Sequence, residues 1–319
     1  MKLRCNDRYA SVSSVARVVS SRRERSKCFV KGRKNRLQHE KIGLTAVASG
    51  WLKRKFWPDG PRTSGGFDAY VSSTPSLQNA IDAIAGWNTA FPPHLGLQAG
   101  SLATYNDPRI LWAMENFGSL QGCRVLELGP LEGGHTSMLE AAGAQVDAVE
   151  ANQRAFLRCL VTKEILGLTR SKFWLGNFMK ALENWQQSYD LIVACGVLYH
   201  LTNPLNLIEL VAKRTGAVYF WTHVVTDEAM PRSDPRRLVI APDVEDHQFH
   251  GMKVRAYRRT YANAQENVAF CGGLNDDHRW LHRDDLLSAL KVIGFTDIRT
   301  SHEEPNHPFG PALSIFARK

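Results

Sequence analysis

The 319-residue sequence lacks several features that would assign it to a class at once. No apolar run approaches the roughly 18 residues needed to cross a bilayer, so we expect no membrane span. The six cysteines form no CxxC pair and no metal-ligand spacing, and we expect no metal site. Scattered cysteines are typical of a reducing compartment, which favours a cytoplasmic protein. No internal repeat is present.

Acidic residues are scarce only in the first part of the chain. Residues 1–55 hold 16 Lys/Arg and 3 Asp/Glu, a net charge of +13, whereas the remaining 24 Lys/Arg and 28 Asp/Glu give −4. We interpret residues 1–56 as a basic, disordered extension that is solvated, serves as a targeting segment, or contacts RNA or an anionic surface. The acidic remainder argues against a broad RNA-binding surface, because phosphate contacts dominate such affinity.

Residues 57–122 read as a linker followed by helices. Apolar residues at helical spacing predict an amphipathic helix over Ser76–Trp87. Asp107 and Pro108 are the N-cap and first residue of another helix. We interpret this part as a helical cap in front of the main domain.

From Cys123 onward, strand-like and helical segments alternate, which is typical of a parallel sheet with helices on both faces. We predict an α/β, doubly wound, Rossmann-like domain over residues 123–319 with a seven-stranded, mostly parallel sheet. An insertion at residues 224–279 follows the fifth strand and shows no assignable pattern. The predicted strands are Arg124–Leu128, Gln145–Ala151, Phe173–Gly176, Tyr189–Cys195, Ala217–Thr222, Thr296–Thr300 and Ala312–Ala317.

The stretch V-L-E-L-G-P-L-E-G-G-H-T, Val125–Thr136, reads as a strand, a glycine-rich turn and a helix start. A dinucleotide loop needs a glycine where Leu131 stands. A triphosphate loop needs a lysine where His135 stands. Glu127 and Glu132 flank the turn and make it hostile to polyanions, so we expect a ligand without strong negative charge.

S-adenosylmethionine meets this requirement, because its sulfonium is positive and its amino-acid end is zwitterionic. Glu127 can attract the ammonium group, while Gly129 and Gly133 let the turn pack under the ligand. Glu150 ends the second strand, 23 residues after Glu127, where an acid accepts hydrogen bonds from ribose hydroxyls. We therefore expect S-adenosylmethionine as the cofactor.

With these motifs, residues 123–223 resemble the class I S-adenosylmethionine-dependent methyltransferases. Val125–Gly133 matches the first motif of that family, and Val146–Asn152 matches its acidic loop. The resemblance implies that Asn177 stands where an Asp usually contacts the adenine, and that Tyr189–His200 contains the strand and loop where transfer occurs. The implied cofactor-binding residues are Glu127, Gly129, Pro130, Gly133, His135, Thr136, Glu150, Ala151, Asn177, Phe178, Cys195, Gly196 and Tyr199.

The phrase G-V-L-Y-H-L-T-N-P-L, Gly196–Leu205, is similar to enzymes that carboxymethylate or methylate the wobble uridine of tRNA. That resemblance implies a cofactor-side role for Tyr199. The RNA-facing basic positions of that family are not found in the N-terminal half. A small-molecule acceptor (a sugar, a lipid or a natural-product intermediate) is therefore favoured over nucleic acid, and a scaffold protein without turnover is a further alternative.

Two histidines at strand ends are candidate general bases, alongside Tyr199 in the catalytic set. His200 follows the transfer strand and His223 ends the fifth strand, and ligands of open α/β sheets lie beyond such ends. Each histidine also has a structural interpretation, in orienting the loop or capping the strand. Thr136 is predicted to cap its helix or to contact the ligand carboxylate. His278–Asp285 is predicted to be a helix start with solvated charges, and the insertion to shape an acceptor lid.

Overall fold

The computed structural model describes residues 69–267 and 269–319; the expected extension at residues 1–56 lies outside them. The strands of the main sheet are β1 (Arg124–Leu128), β2 (Gln145–Glu150), β3 (Ser171–Leu175), β4 (Leu191–Cys195), β5 (Ala217–His223), β9 (Asp297–Glu304) and β10 (Ala312–Arg318). They lie in the order β3-β2-β1-β4-β5-β10-β9. All neighbours pair in parallel except β10, which is antiparallel to β5 and to β9. The predicted seven-stranded, mostly parallel sheet is confirmed.

Helices cover both faces of this sheet, as predicted. The helices are α1 (Leu77–Asp82), α2 (Pro108–Phe117), α3 (Gly134–Ala141), α4 (Gln153–Leu166), α5 (Phe178–Asn184), α6 (Pro204–Arg214) and α7 (Arg283–Val292). Successive strand residues point to opposite faces, so Val125 packs with α2, α3 and α4, whereas Leu126 and Leu128 pack with α5, α6 and α7. None of these helices is long and apolar enough to cross a membrane.

The helix predicted over Ser76–Trp87 is shorter than expected. It ends at Asp82, and Gly86 adopts a left-handed φ of +85° that a helix cannot continue through. Trp87 lies beyond the helix, and its indole N–H donates to the Ile81 carbonyl at 2.9 Å. The predicted N-cap Asp107 is confirmed, because its side chain accepts from the Arg109 amide.

The insertion after β5 is an ordered antiparallel sheet. Its strands are β6 (Ile240–Phe249), β7 (Met252–Arg259) and β8 (His278–Leu281), in that order. The predicted helix start at His278–Asp285 is therefore wrong in its first half. His278 and Trp280 are buried in β8, and the helix begins only at Arg283. The pairing of β8 with β7, which sets Trp280 opposite Tyr257 and His278 opposite Arg259, decides this outcome.

Candidate active site

A cavity of about 890 Å³ lies at the carboxyl ends of β1, β2, β4 and β5. This is where open α/β sheets bind ligands. It brings together most of the predicted site residues, from segments far apart in sequence. They are Gly129, Pro130, His135, Glu150, Ala151, Asn177, Phe178, Cys195, Gly196, Tyr199, His200 and His223.

Glu150 is the acid that the second strand contributes to the cavity wall. Its carboxylate accepts hydrogen bonds from the backbone amides of Asn152 at 2.7 Å and Leu131 at 3.2 Å. Burial raises the pKa of Glu150 to about 6, although these amide hydrogen bonds oppose the rise. Because Glu150 lines the cavity while holding the glycine turn, it can accept hydroxyl donors from a ligand at the end of β2.

Three predicted cofactor residues lie behind the wall instead of in it. Glu127 is buried, and its carboxylate accepts the hydroxyl of Thr136. Gly133, not Thr136, is the N-cap of α3, so the predicted capping role of Thr136 is wrong. Burial raises the pKa of Glu127, against the influence of His135 and Thr136. Glu127 and Thr136 bond to each other beneath the turn, and neither side chain lines the cavity.

Gly129 allows the turn to approach the loop after β4. It has a φ of +67°, and a Cβ built there would lie 2.7 Å from the Val197 side chain. Leu131, at the position where a dinucleotide loop needs glycine, has a left-handed φ of +57°. Such a conformation is uncommon for a branched residue. The hydrogen bond to Glu150 holds it there.

Glu132 does not face the ligand side, which corrects the expectation that it repels polyanions at the turn. Its fully buried carboxylate accepts the amides of Asn88 at 2.8 Å and Thr89 at 2.7 Å. It also pairs with Arg158 at 3.0 Å, and Arg158 donates to the Ala85 carbonyl. Glu132 therefore fastens residues 85–106, which we call the cap segment, over the turn. Thr89, Leu102 and Thr104 of this segment line the cavity.

Asp107 links the cofactor turn to the far wall of the cavity. Its carboxylate lies 2.9 Å from His135 Nε2 and binds Arg109 through two guanidinium nitrogens. Although burial opposes ionisation, these partners hold the pKa of Asp107 well below its usual range. Burial also opposes protonation of His135, but Cys195 and Asp107 raise the pKa of His135 to about 10. Arg109 lies over the Trp221 ring, 4.6 Å from its centroid.

The imidazole of His223 has a defined orientation. Its Nδ1 lies 2.9 Å from the Gly310 carbonyl oxygen and 3.3 Å from that of Pro311. The ring stacks on Trp280 at 4.6 Å with an angle of 6° between planes. Burial and the neighbouring His307 lower the pKa of His223 to about 3. The side chain is therefore neutral near pH 7.

His200 is held by the loop between β7 and β8. Its Nδ1 lies 2.8 Å from the Tyr261 hydroxyl, whose oxygen also accepts the Gly273 amide at 2.7 Å. Burial, with His278 and His223 nearby, lowers the pKa of His200 to about 3. Tyr199 lies between the two histidines, with ring centroids 4.1 Å from His200 and 4.6 Å from His223.

Several wall residues were missed by the sequence interpretation. No site role was predicted for Arg109, which follows the N-cap Asp107, or for Trp221, which lies in the F-W-T-H sequence. His307 and Phe309 lie in a segment interpreted only as a turn, and the loop at residues 270–275 lies in the unassigned insertion. Across the described ranges, no group of three or more His, Cys, Asp or Glu side chains is arranged to hold a metal ion.

No protein-family model and no curated protein matches the sequence. Among solved structures, the N-terminal domain of EvdMO1, crystallised with SAH (S-adenosylhomocysteine) and D-fucose, is 23% identical with a TM-score of 0.57. The match covers 76% of this chain and 95% of that domain. Full-length EvdMO1 matches with 18% identity and a TM-score of 0.49, over 76% of this chain and 46% of its own.

A S-adenosylmethionine-dependent methyltransferase from Clostridium acetobutylicum is 13% identical, with a TM-score of 0.44 over 66% of this chain and 89% of its own. The strand order, the antiparallel β10 and the EvdMO1 match together establish the fold. The chain has the seven-stranded, Rossmann-like fold of the S-adenosylmethionine-dependent methyltransferases.

Proposed function

We propose that this chain is a S-adenosylmethionine-dependent methyltransferase that acts on a hydroxyl group of a small molecule. The observation that carries the proposal is Glu150. It lines the cavity at the end of β2, beside a glycine turn that has no lysine. An acid at this position accepts ribose hydroxyls, and the turn lacks the lysine that a triphosphate-binding loop uses.

The remaining cofactor contacts follow from the wall. Asn177 caps α5, with its Oδ1 accepting the Met179 amide at 2.9 Å, so its NH₂ group is left to donate to the adenine. Phe178 offers an apolar surface for the same ring. Gly196 leaves space beside Tyr199, because a Cβ built at Gly196 would lie 3.8 Å from the Tyr199 hydroxyl oxygen. Glu127 lies below the turn and supports it by accepting the Thr136 hydroxyl.

When bound, the cofactor supplies an activated methyl carbon with a good leaving group, so positioning accounts for much of the rate. His223 is the residue we assign to remove the proton of the acceptor hydroxyl. A base whose pKa is about 3 cannot ionise an alcohol beforehand. It can take the proton once the new C–O bond has begun to form, because the alcohol oxygen is then strongly acidic. Tyr199 and His200 orient the acceptor.

A sugar is the acceptor class we favour. The EvdMO1 domain was crystallised with D-fucose. The cavity of about 890 Å³ is near the upper end of the range for a pocket that holds one small ligand, so it has room for a small acceptor beside the cofactor. The mouth of the cavity carries three exposed apolar side chains, Leu102, Leu274 and Phe309. An apolar mouth suits a small organic acceptor better than the phosphate backbone of tRNA. Residues 69–122 and the described part of the insertion at 224–279 would form the acceptor lid.

The test is calorimetric titration of the full chain with SAH. Wild-type protein should bind with micromolar affinity, and Glu150→Ala should bind at least about tenfold more weakly, because charge-assisted hydrogen bonds contribute about 1.5–3 kcal/mol. Glu140→Ala is the matched control. Glu140 is also buried, but its carboxylate binds Ser171 and Thr169, away from the cavity. Absence of SAH binding to folded wild-type protein would overturn the proposal.

A further inference from the structure

The two cavity histidines present opposite hydrogen-bonding groups to a ligand. The Gly310 carbonyl oxygen, 2.9 Å from His223 Nδ1, can only accept a hydrogen bond. Nδ1 of His223 therefore carries the proton in the neutral ring. Its Nε2 carries the lone pair; the hydrogen bonds of the His223 ring to described residues use Nδ1, and the side chain lines the cavity.

His200 has the reverse arrangement. The Tyr261 oxygen already accepts the Gly273 amide, so its own proton is available for His200 Nδ1 at 2.8 Å. The Tyr261 ring is fixed against the buried His278, with centroids 4.3 Å apart and planes 23° apart. Accepting at Nδ1 places the proton of neutral His200 on Nε2. His200 is thus a donor toward the cavity.

Both rings pack against Tyr199, whose ring centroid lies 4.1 Å from that of His200 and 4.6 Å from that of His223, and both side chains line the same cavity. Because burial keeps both rings neutral near pH 7, neither contributes a charge. A ligand that bonds to both must donate one hydrogen bond and accept another. A carboxylate cannot do so, since it would face the lone pair of His223.

We propose that the acceptor is a vicinal diol, in which one hydroxyl donates to His223 Nε2 and the neighbouring oxygen accepts from His200 Nε2–H. Tyr261 is a positioning residue, because it sets the proton of His200 without touching the ligand. This inference rests on the proposed methyl transfer. In that reaction the O–CH₃ bond forms, the S–CH₃ bond breaks, and the hydroxyl proton passes to His223 Nε2.

The experiment is long-range ¹H–¹⁵N NMR of the full chain labelled with ¹⁵N-histidine. In ligand-free protein, His223 should show a protonated Nδ1 and His200 a protonated Nε2. Tyr261→Phe keeps the ring on His278 but removes the hydroxyl, so the His200 signals should shift toward a mixture of tautomers. Tyr189→Phe is the control; it removes a hydroxyl that binds Asp147, away from the cavity. Loss of the His200 preference in this control as well would overturn the role of Tyr261.

The acceptor class is tested by adding cis-1,2-cyclohexanediol or cyclohexanol to SAH-saturated protein. The diol should move both Nε2 signals and bind about fivefold more tightly than the alcohol, as expected for one additional hydrogen bond. In Tyr261→Phe this advantage should vanish. A protonated Nδ1 on wild-type His200, or equal effects of diol and alcohol, would overturn the inference. The tautomers are read without cofactor, so a failure to bind SAH would count against the proposed function alone.

Discussion

Asp107 Oδ2 lies 2.9 Å from His135 Nε2, and this contact joins the N-terminus of α2 to the first turn of α3. The same carboxylate caps α2 and binds Arg109, whose guanidinium lies on Trp221. One buried acid thereby holds an imidazole beside the glycine turn and a guanidinium beside Trp221 in fixed relation. Arg109 and His135 are separated by only this carboxylate.

Replacing Asp107 with alanine should destabilise the protein strongly. The substitution removes an N-cap, which contributes about 1 kcal/mol. It also takes a carboxylate from two partly buried cations, Arg109 and His135, for which the cost of about 3–5 kcal/mol at a fully buried pair is an upper bound. We expect a loss of about 3 kcal/mol or more in the free energy of unfolding, measured with urea.

The chain contains its own control for this substitution. Asp234, Pro235 and Arg236 repeat the Asp-Pro-Arg sequence, and Asp234 likewise caps a short helix and binds Arg236. Asp234 has no imidazole partner in the described structure and does not line the main cavity. Asp234→Ala should therefore cost clearly less than Asp107→Ala. Equal losses would contradict the importance of the His135 contact.

The raised pKa of His135 should make stability depend on pH. Between pH 6.5 and about 10 the folded state keeps a proton that the unfolded state has lost, so the free energy of unfolding falls as pH rises. We expect the advantage of wild type over His135→Gln to be fully present below pH 6.5. It should decline by about 2–4 kcal/mol toward pH 10.

Urea unfolding at several pH values measures this difference. His94→Gln is the control, because His94 is exposed and lies outside the cavity wall. A wild-type advantage that stays constant from pH 6 to pH 10 would show that Asp107 does not hold a protonated His135.

Gly134→Ala should separate the cap segment from the turn. A Cβ at this position would lie 2.0 Å from Thr104 Oγ1 and 2.7 Å from Thr104 Cβ. Alanine normally favours a helix by about 1 kcal/mol over glycine, so a net loss of stability would report the clash. We expect a loss of about 1–3 kcal/mol and several-fold weaker binding of SAH, because Thr104 lines the cavity.

Gly216→Ala is the matched substitution in open space, since nothing lies within 4 Å of a Cβ built there. It should change stability by no more than about 0.5 kcal/mol and leave SAH binding intact. Unfolding by urea and calorimetric titration are the measurements. Wild-type behaviour of Gly134→Ala would show that the cap segment moves aside freely.

Local sequence signals predicted much of the domain. The N-cap Asp107 with Pro108 and the alternation that begins at Cys123 led to the correct helix and sheet. Such signals act between residues a few positions apart, as in the hydrogen bond from the Arg109 amide to Asp107. The glycine turn and Glu150 were recognised for the same reason. Their placement at the carboxyl ends of adjacent parallel strands follows from the strand order alone.

The sequence by itself thus determined the fold, the place of the cavity and the part of its wall that follows β1 to β4, together with His223. Only the tertiary structure decided which way the acids face: Glu132 binds amides 43 and 44 positions away, and Glu127 lies under the turn. The tertiary structure also decided how the two histidine rings are oriented, because Nδ1 of His200 contacts the Tyr261 hydroxyl and Nδ1 of His223 contacts the Gly310 carbonyl. A carboxylate or imidazole takes its direction and protonation from the partners around it. Those partners come from strands and loops that only folding brings together.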